Sequence, residues 1–302
     1  MTRRAHMAGA GFLAVFYAAL FSALLAIMWV IVRQVAERIH AIEITFFGVL
    51  FGFIVFLPSA LRYGPQVFHS RRVGIHFVRG VCNGIAILAW FWALTLMPLA
   101  DATALNLLAP LMVTVGAIFF LGESVGPRRW FALGLGALGA MVIIRPGFQE
   151  ISLGVWLALA TVVFSAFQRL IAKSLAGTEA NVTSVLYLMA FMVPVSLAPA
   201  ALVWVWPRPA DYLWLFVIGG LLSGAHFALM KSLQLADVSA LEPVSFTRLL
   251  WGALFGYLFF AEVPDTSVWV GGIMIISATT YVARREAALR SGRSVLPESA
   301  NL

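Results

Sequence analysis

The feature that most constrains the fold of this chain is a series of ten apolar stretches joined by short connections. Each is about twenty residues long, which is the length that an α-helix needs to cross a bilayer. Their approximate positions are 10–32, 42–61, 76–97, 101–121, 128–145, 151–172, 182–206, 211–231, 238–261 and 265–283. Hydrophobic residues make up 62% of the chain and charged residues 11%, whereas about a quarter of a soluble domain is charged. The sequence therefore predicts an all-α integral membrane protein with ten transmembrane helices.

The placement of Lys and Arg predicts how these helices are oriented. With the N-terminus inside, fifteen of the 20 Lys and Arg residues fall in inner segments, Arg79 and Arg169 among them, and four fall in outer segments. Cationic residues concentrate in cytoplasmic loops. We therefore expect both termini in the cytoplasm and a multi-pass protein of the bacterial inner membrane. On the same reasoning, the net charge of +7 is not a sign of nucleic-acid binding.

The chain contains an internal repeat. LADATAL at Leu99–Leu105 recurs as LADVSAL at Leu235–Leu241, and GAIFFLGE at Gly116–Glu123 recurs as GYLFFAE at Gly256–Glu262. Five spans per half is an odd number, so the second half lies upside down relative to the first. We predict two inverted five-helix repeats, residues 1–147 and 148–286, followed by a polar cytoplasmic tail, 287–302.

These repeated motifs carry a family resemblance. A span that ends in FFLGE or FFAE and is followed by a Gly-rich span resembles the EamA-type proteins of the drug/metabolite transporter superfamily, and so does the tail pattern of residues 261–286. Ala261 departs from the pattern, since the family more often has glycine there. The resemblance implies a ten-helix transporter of small metabolites that works by alternating access, with its site between the halves.

Several motifs are typical of other functions, but their surroundings in this sequence do not support those functions. Gly134, Gly136 and Gly139 match G-x-G-x-x-G but lie inside an apolar span, where glycines allow close helix packing and the strand of a nucleotide site is missing. The single cysteine, Cys82, and the five histidines show no metal spacing. No catalytic constellation is evident, so we expect neither an enzyme nor a cofactor or metal.

Arg248 is the most informative single residue, because it lies near the middle of the ninth span. Insertion scales place an arginine there at a cost of about 2.5–3.5 kcal/mol, and such residues usually face the bundle interior. The same helical face carries Ser245, Gly252 and Phe255. A guanidinium can grip a carboxylate through two parallel hydrogen bonds. We therefore expect Arg248 to bind the anionic end of a substrate, with Ser245 beside it.

Other polar residues and aromatic residues deep in spans complete the predicted site. Asn83 and Trp90 share a face of the third span, and His226 lies three residues from Ser223 in the eighth. Asn106 and Thr114 flank Pro110 in the fourth span. The residues that we expect to bind substrate are Arg248, His226, Trp90, Asn83, Asn106 and Ser245. Trp29, near the outer end of the first span, is interpreted instead as part of an interfacial aromatic belt.

Glu123 and Glu262 end corresponding spans. They fit either proton coupling or the anchoring of helix ends by backbone and basic partners, and we favour anchoring because the positions are interfacial.

The predicted function is a secondary transporter with a small-molecule substrate and a lipid bilayer as its surroundings. Its expected oligomeric state is a monomer. An apolar or aromatic body with a carboxylate describes aromatic and hydrophobic amino acids, and the resemblance extends to amino-acid exporters. The alternatives are the same fold with another cargo, such as a flavin, a nucleotide-like solute or a cationic drug, and a channel or a non-transport membrane protein.

Overall fold

The computed structural model describes residues 2–121, 127–147, 150–236, 241, 244 and 246–293. Within them the chain is helical, with a short 3₁₀ helix at Pro65–Phe68. The α-helices are α1 (Thr2–Val35), α2 (Ala41–Arg62), α3 (Val73–Leu96), α4 (Leu99–Asn106), α5 (Ala109–Leu121), α6 (Pro127–Ile144), α7 (Leu153–Ala176), α8 (Asn181–Ala200), α9 (Pro209–Leu235), α10 (Thr247–Phe260) and α11 (Thr266–Arg293).

These helices account for the ten predicted spans, since α4 and α5 together form the fourth. Eight segments of the described residues are long and apolar enough to cross a membrane, and two shorter apolar helices, Trp130–Ile144 and Thr247–Phe260, lie in α6 and α10. The all-helical membrane fold is thereby confirmed. Residues 294–302 of the predicted tail lie outside the described residues, and the predicted domain boundaries stay predictions.

The fourth span is interrupted at Leu107 and Leu108, between α4 and α5. Leu107 and Leu108 donate their backbone N–H groups to the carbonyls of Ala104 and Leu105, three residues back, which tightens the end of α4. Pro110 has no N–H to donate to Asn106, and it is well suited to the first turn of a new helix. The span is therefore divided into two helices, with Asn106 at the break.

The helices pack with a two-fold pattern that exchanges the halves. In pairs of equivalent helices, α2 packs on α8, α4 on α10 and α6 on α11. Between different positions, the contact of α1 with α9 is matched by that of α7 with α3, and the contact of α5 with α7 by that of α10 with α1. This pattern agrees with duplicated halves.

Glycines allow the closest of these approaches. A Cβ added to Gly52 of α2 would lie 2.8 Å from Oγ of Ser223 in α9, and one added to Gly139 of α6 would lie 2.8 Å from the carbonyl oxygen of Gly271 in α11. Small residues at helix interfaces are typical of membrane bundles. The packing role predicted for Gly139 is therefore confirmed.

Two arginines that we counted with the inner segments, Arg79 and Arg169, lie within helices of the bundle. Arg79 of α3 is fully buried and donates from Nη1 to both the carbonyl and the hydroxyl oxygen of Ser184 in α8, at 3.2 and 2.7 Å. Arg169 lies within α7. Their assignment to the inner side stays a prediction, and Arg79 shows that a cation near the end of a span can be buried against a neighbouring helix.

Candidate substrate cavity

A cavity lies at the centre of the bundle, between the two halves. It is lined by α1, α3 and α4 of the first half and by their equivalents α7, α9 and α10 of the second. Its volume is about 90 Å³. The described residues that line it are Phe21, Leu25, Met28, Trp29, Asn83, Ala86, Ile87, Trp90, Phe91, Asn106, Thr161, Ser165, Gln168, Arg169, Leu222, His226, Leu229 and Arg248.

Five of the six predicted site residues line this one cavity. Asn83 and Trp90 come from α3, Asn106 from the broken end of α4, His226 from α9 and Arg248 from α10. The sixth, Ser245, lies outside the described residues. The fold thus brings together side chains that are more than a hundred residues apart in the sequence.

Arg248 is in the first turn of α10 and is only 5% exposed. One turn further, Gly252 faces α4 so closely that an added Cβ would collide with Thr103. This contact holds the start of α10 against α4. Phe255, which we expected on the same groove, is not among the residues that line the cavity and instead packs against Trp251 and Phe259.

Asn83 and His226 are joined by a hydrogen bond. Nδ2 of Asn83 lies 3.2 Å from Nε2 of His226 and 3.1 Å from Sδ of Met192. Because an amide nitrogen only donates, Nε2 of His226 accepts, and its proton is then on Nδ1. Nδ1 has no hydrogen-bond partner among the described residues.

Two other polar residues near the predicted face form hydrogen bonds to backbone carbonyls. Ser223 donates from Oγ to the carbonyl of Gly52 at 2.7 Å, which joins α9 to α2. Thr114 donates to the carbonyl of Pro110 within α5. Neither residue is among those that line the cavity.

The prediction for Trp29 was wrong. Its side chain is only 3% exposed, and its ring meets that of Trp90 edge to face, with the ring centroids 5.2 Å apart. Both rings line the cavity. The position near the end of a span suggested an interfacial belt, but the helical face of α1 that carries Trp29 points into the bundle.

The sequence reasoning missed the contribution of α7, which supplies Thr161, Ser165, Gln168 and Arg169. A signal for them was present. Phe21-Ser22-Ala23 of α1 recurs as Phe164-Ser165-Ala166 in α7, the first helix of the second half. Aligning these motifs would have marked α7 as the counterpart of α1 and directed attention to its polar residues.

Glu262 ties the outer helix ends together, as we favoured. Its carboxylate lies 2.7 Å from Nη1 of Arg33 and accepts the backbone N–H of Leu99, the first residue of α4, at 2.9 Å. Its sequence counterpart Glu123 lies outside the described residues.

Comparison with known proteins shows where the chain belongs. The profile of the EamA-like transporter family matches residues 12–145 and again residues 152–284. One crystal structure superposes with a TM-score of 0.61 over 92% of this chain and 99% of the other, and at 19% identity it shows a common fold alone.

Several relatives are transporters with different named solutes. The chain is 33% identical to a riboflavin transporter of Rhizobium johnstonii over 78% of both chains. It is 29% identical to an S-adenosylmethionine uptake transporter of Rickettsia prowazekii, over 84% of this chain and 86% of the relative. Identity to a pseudopaline exporter of Pseudomonas aeruginosa is 26%, over 89% and 95% of the two chains.

The two family matches cover both halves of the ten-span bundle, and the relatives are similar over most of their length. The chain therefore belongs to the EamA-like transporter family, as a multi-pass membrane protein and a secondary transporter of small metabolites rather than an enzyme.

Proposed function

We propose that this transporter moves amino acids with aromatic or apolar side chains, or close derivatives of them, through the central cavity. The observation that carries the proposal is the buried guanidinium of Arg248 in a cavity that is also walled by Trp29 and Trp90. A guanidinium suits a carboxylate, and the indole rings suit an apolar or aromatic body.

The charge of the cavity favours an anionic group on the solute. Two of its described lining residues, Arg169 and Arg248, are cationic and none is acidic. A solute that is only cationic is disfavoured.

The names of the relatives bear on the cargo without singling out amino-acid export. S-adenosylmethionine joins an amino-acid head to an aromatic base, which the combination of Arg248 and the indoles would accommodate. Riboflavin is a flat heteroaromatic without a carboxylate. The paired rings of Trp29 and Trp90, with the 33% identity to a riboflavin transporter, make a flavin the second candidate.

Alternating access follows from the size of the cavity. At about 90 Å³ it is smaller than the roughly 300 to 1,000 Å³ that is typical of ligand sites. The helices around it must therefore move apart to admit an amino acid. We keep export across a bacterial inner membrane as part of the proposal, and the relatives' names include both an uptake transporter and an exporter.

The experiment that tests the cargo is uptake into proteoliposomes that contain the purified protein. The panel comprises labelled tryptophan, phenylalanine, S-adenosylmethionine and riboflavin, with empty liposomes as the control. We expect tryptophan and phenylalanine to be transported and to compete with each other. Transport of riboflavin alone would overturn the amino-acid assignment and support the second candidate.

The role of Arg248 is tested by replacing it. Arg248→Ala should reduce amino-acid transport at least about tenfold, since a hydrogen bond to a charged group contributes about 1.5–3 kcal/mol. Arg248→Lys should retain part of the transport, because lysine keeps the positive charge but cannot form the two parallel hydrogen bonds of a guanidinium. Arg71, which is exposed at the inner end, gives the matched control Arg71→Ala. Full transport by Arg248→Ala would remove this residue from the site.

A further inference from the structure

Equivalent positions of the two halves carry different chemistry in the cavity. The LAD motifs align Trp90 of α3 with His226 of α9, and the FSA motifs align Leu25 of α1 with Gln168 of α7. All four residues line the cavity. The two-fold pattern of the helices is therefore kept, while the side chains at these positions are apolar in the first half and polar in the second.

The cavity consequently has two unlike walls. The first half contributes mainly aromatic and aliphatic side chains, and the second contributes most of the charged and hydroxyl groups. The aromatic wall, as we call it, is formed by Phe21, Leu25, Met28, Trp29, Trp90 and Phe91, and the polar wall by Thr161, Ser165, Gln168, Arg169, His226 and Arg248. A solute with one polar end would have a single favoured orientation between these walls.

Gln168 contributes a hydrogen-bond acceptor to the polar wall. Its side chain is only 4% exposed, and its Oε1 has no hydrogen-bond partner among the described residues. Leaving a buried acceptor without a partner is unfavourable, and native structures contain few such groups. Oγ1 of Thr161, two turns earlier on α7, lies 2.9 Å from the carbonyl oxygen of Leu157 in the same helix and 3.3 Å from that of Ala86, so this hydroxyl lies where α7 meets α3.

The charged groups and hydrogen-bond donors near Gln168 indicate which kind of solute group would donate a hydrogen bond to it. The next residue, Arg169, and Arg248 also line the cavity and suit an anion, as argued above. The proton on Nδ1 of His226 adds another donor. An acceptor on the same wall as these donors fits a group that carries N–H donors beside a carboxylate.

We propose that Oε1 of Gln168 accepts a hydrogen bond from the ammonium group of the solute, so that the cavity selects zwitterionic α-amino acids over simple carboxylates. This inference rests on the proposed function and deepens it. The amino-acid head lies against the second repeat, and the side chain lies against the aromatic wall of the first.

The test compares phenylalanine with 3-phenylpropionate, which has the same ring and carboxylate and lacks the ammonium group. Binding of tritiated phenylalanine to the purified protein in detergent is displaced by each unlabelled compound. For the wild type we expect phenylalanine to bind about tenfold or more tightly than 3-phenylpropionate, the ratio that one hydrogen bond from a charged donor gives.

Two variants remove the acceptor. Gln168→Met keeps the length of the side chain, and Gln168→Leu installs the residue found at the equivalent position of α1. In both variants, the affinity for phenylalanine should fall about tenfold, while the affinity for 3-phenylpropionate changes little. The preference for phenylalanine is then lost. Gln66, exposed in the 3₁₀ helix, supplies the control Gln66→Met, which should keep the wild-type preference.

The possible results separate this inference from the proposal on which it rests. A misfolded variant would lose both ligands together, so the ratio of the two affinities reports on Gln168 and not on stability. An unchanged preference in Gln168→Met and Gln168→Leu, with binding lost in Arg248→Ala, would overturn the role of Gln168 and leave the proposed function standing. If the wild type bound neither compound, the amino-acid assignment itself would be wrong.

Discussion

The two ends of the bundle are joined across the repeats in different ways. On the predicted orientation, the outer end carries carboxylate–guanidinium pairs. Arg33 pairs with Glu262 at 2.7 Å, Arg145 with Asp265 at 2.6 Å, and Arg38 with Asp211 at 3.3 Å. In every pair the arginine comes from the first half and the carboxylate from the second.

Among the described residues, the contacts of the inner end join a charged side chain to hydroxyl, carbonyl or imidazole groups. Glu179 accepts a hydrogen bond from Oγ of Ser70 at 2.6 Å, and its carboxylate is 3.9 Å from Nε2 of His76. Arg72 donates to the carbonyl of Ser174 and to Oγ1 of Thr178. Among the described residues, no carboxylate here has a Lys or Arg within ion-pair distance.

Among the described residues, the two ends are therefore closed by different contacts, although the helices follow the two-fold pattern. Alternating access requires each end to separate in turn. Opening the outer end separates ion pairs, whereas the described inner contacts join one charged group to a hydroxyl, a carbonyl or an imidazole, and water can replace those partners. We therefore expect the outer end to be the more firmly closed of the two.

The largest effect should come from Glu262→Ala. The side chains of Arg33 and Glu262 are 17% and 18% exposed, and the carboxylate also accepts the N–H of Leu99. Its loss should lower the free energy of unfolding by about 2 kcal/mol, measured by chemical unfolding in detergent. Glu179→Ala at the inner end is the comparator and should cost less. An equal or larger cost for Glu179→Ala would reverse the ranking of the two ends.

A smaller effect of opposite sign is expected from Ala261→Gly. Ala261 ends α10 in the left-handed conformation, with φ 54° and ψ 28°. Glycine adopts this conformation without the steric penalty of a Cβ, which explains why the resemblance leads us to expect glycine here. We expect stability to rise by about 1 kcal/mol, seen as a higher melting temperature in detergent. A lower melting temperature would show that the contact of Glu262 depends on the alanine.

The smallest effect concerns Asp265, in the exposed turn between α10 and α11. Its pKa is lowered by hydrogen bonds from the backbone N–H of Ser267 and from Arg145. A lowered folded-state pKa contributes stability above the unfolded pKa, about 3.9, and the contribution is lost as the pH falls through the folded value. The difference in melting temperature between wild type and Asp265→Asn should be constant from about pH 8 to 5 and shrink only in stronger acid.

A change of that difference between about pH 5 and 8 would contradict this assignment, because neither the folded nor the unfolded carboxyl titrates there. The same pH range separates the two ends, because His76 at the inner end titrates there when it is in water, whereas Asp265 at the outer end does not.

The residues of the cavity show which parts of the site can be predicted from the sequence and which cannot. Arg248, Asn83, Asn106 and His226 could be found because polar groups inside apolar spans are costly and so must have a reason. Gln168 is as polar and was missed, because it lies one residue before Arg169, which we had counted with the inner segments. Trp29 was misplaced since a tryptophan near the end of a span is common at interfaces.

The sequence by itself determined the membrane class, the ten spans and the repeat, because apolar length and recurring motifs are properties of the chain alone. Only the tertiary structure decided which face of each span points inward. A bilayer is as apolar as the interior of a helical bundle, so hydropathy does not separate the lipid-facing side of a helix from the side that meets its neighbours. For that reason the burial of Arg79, the inward position of Trp29 and the polar wall of the second half became visible only when the helices were packed.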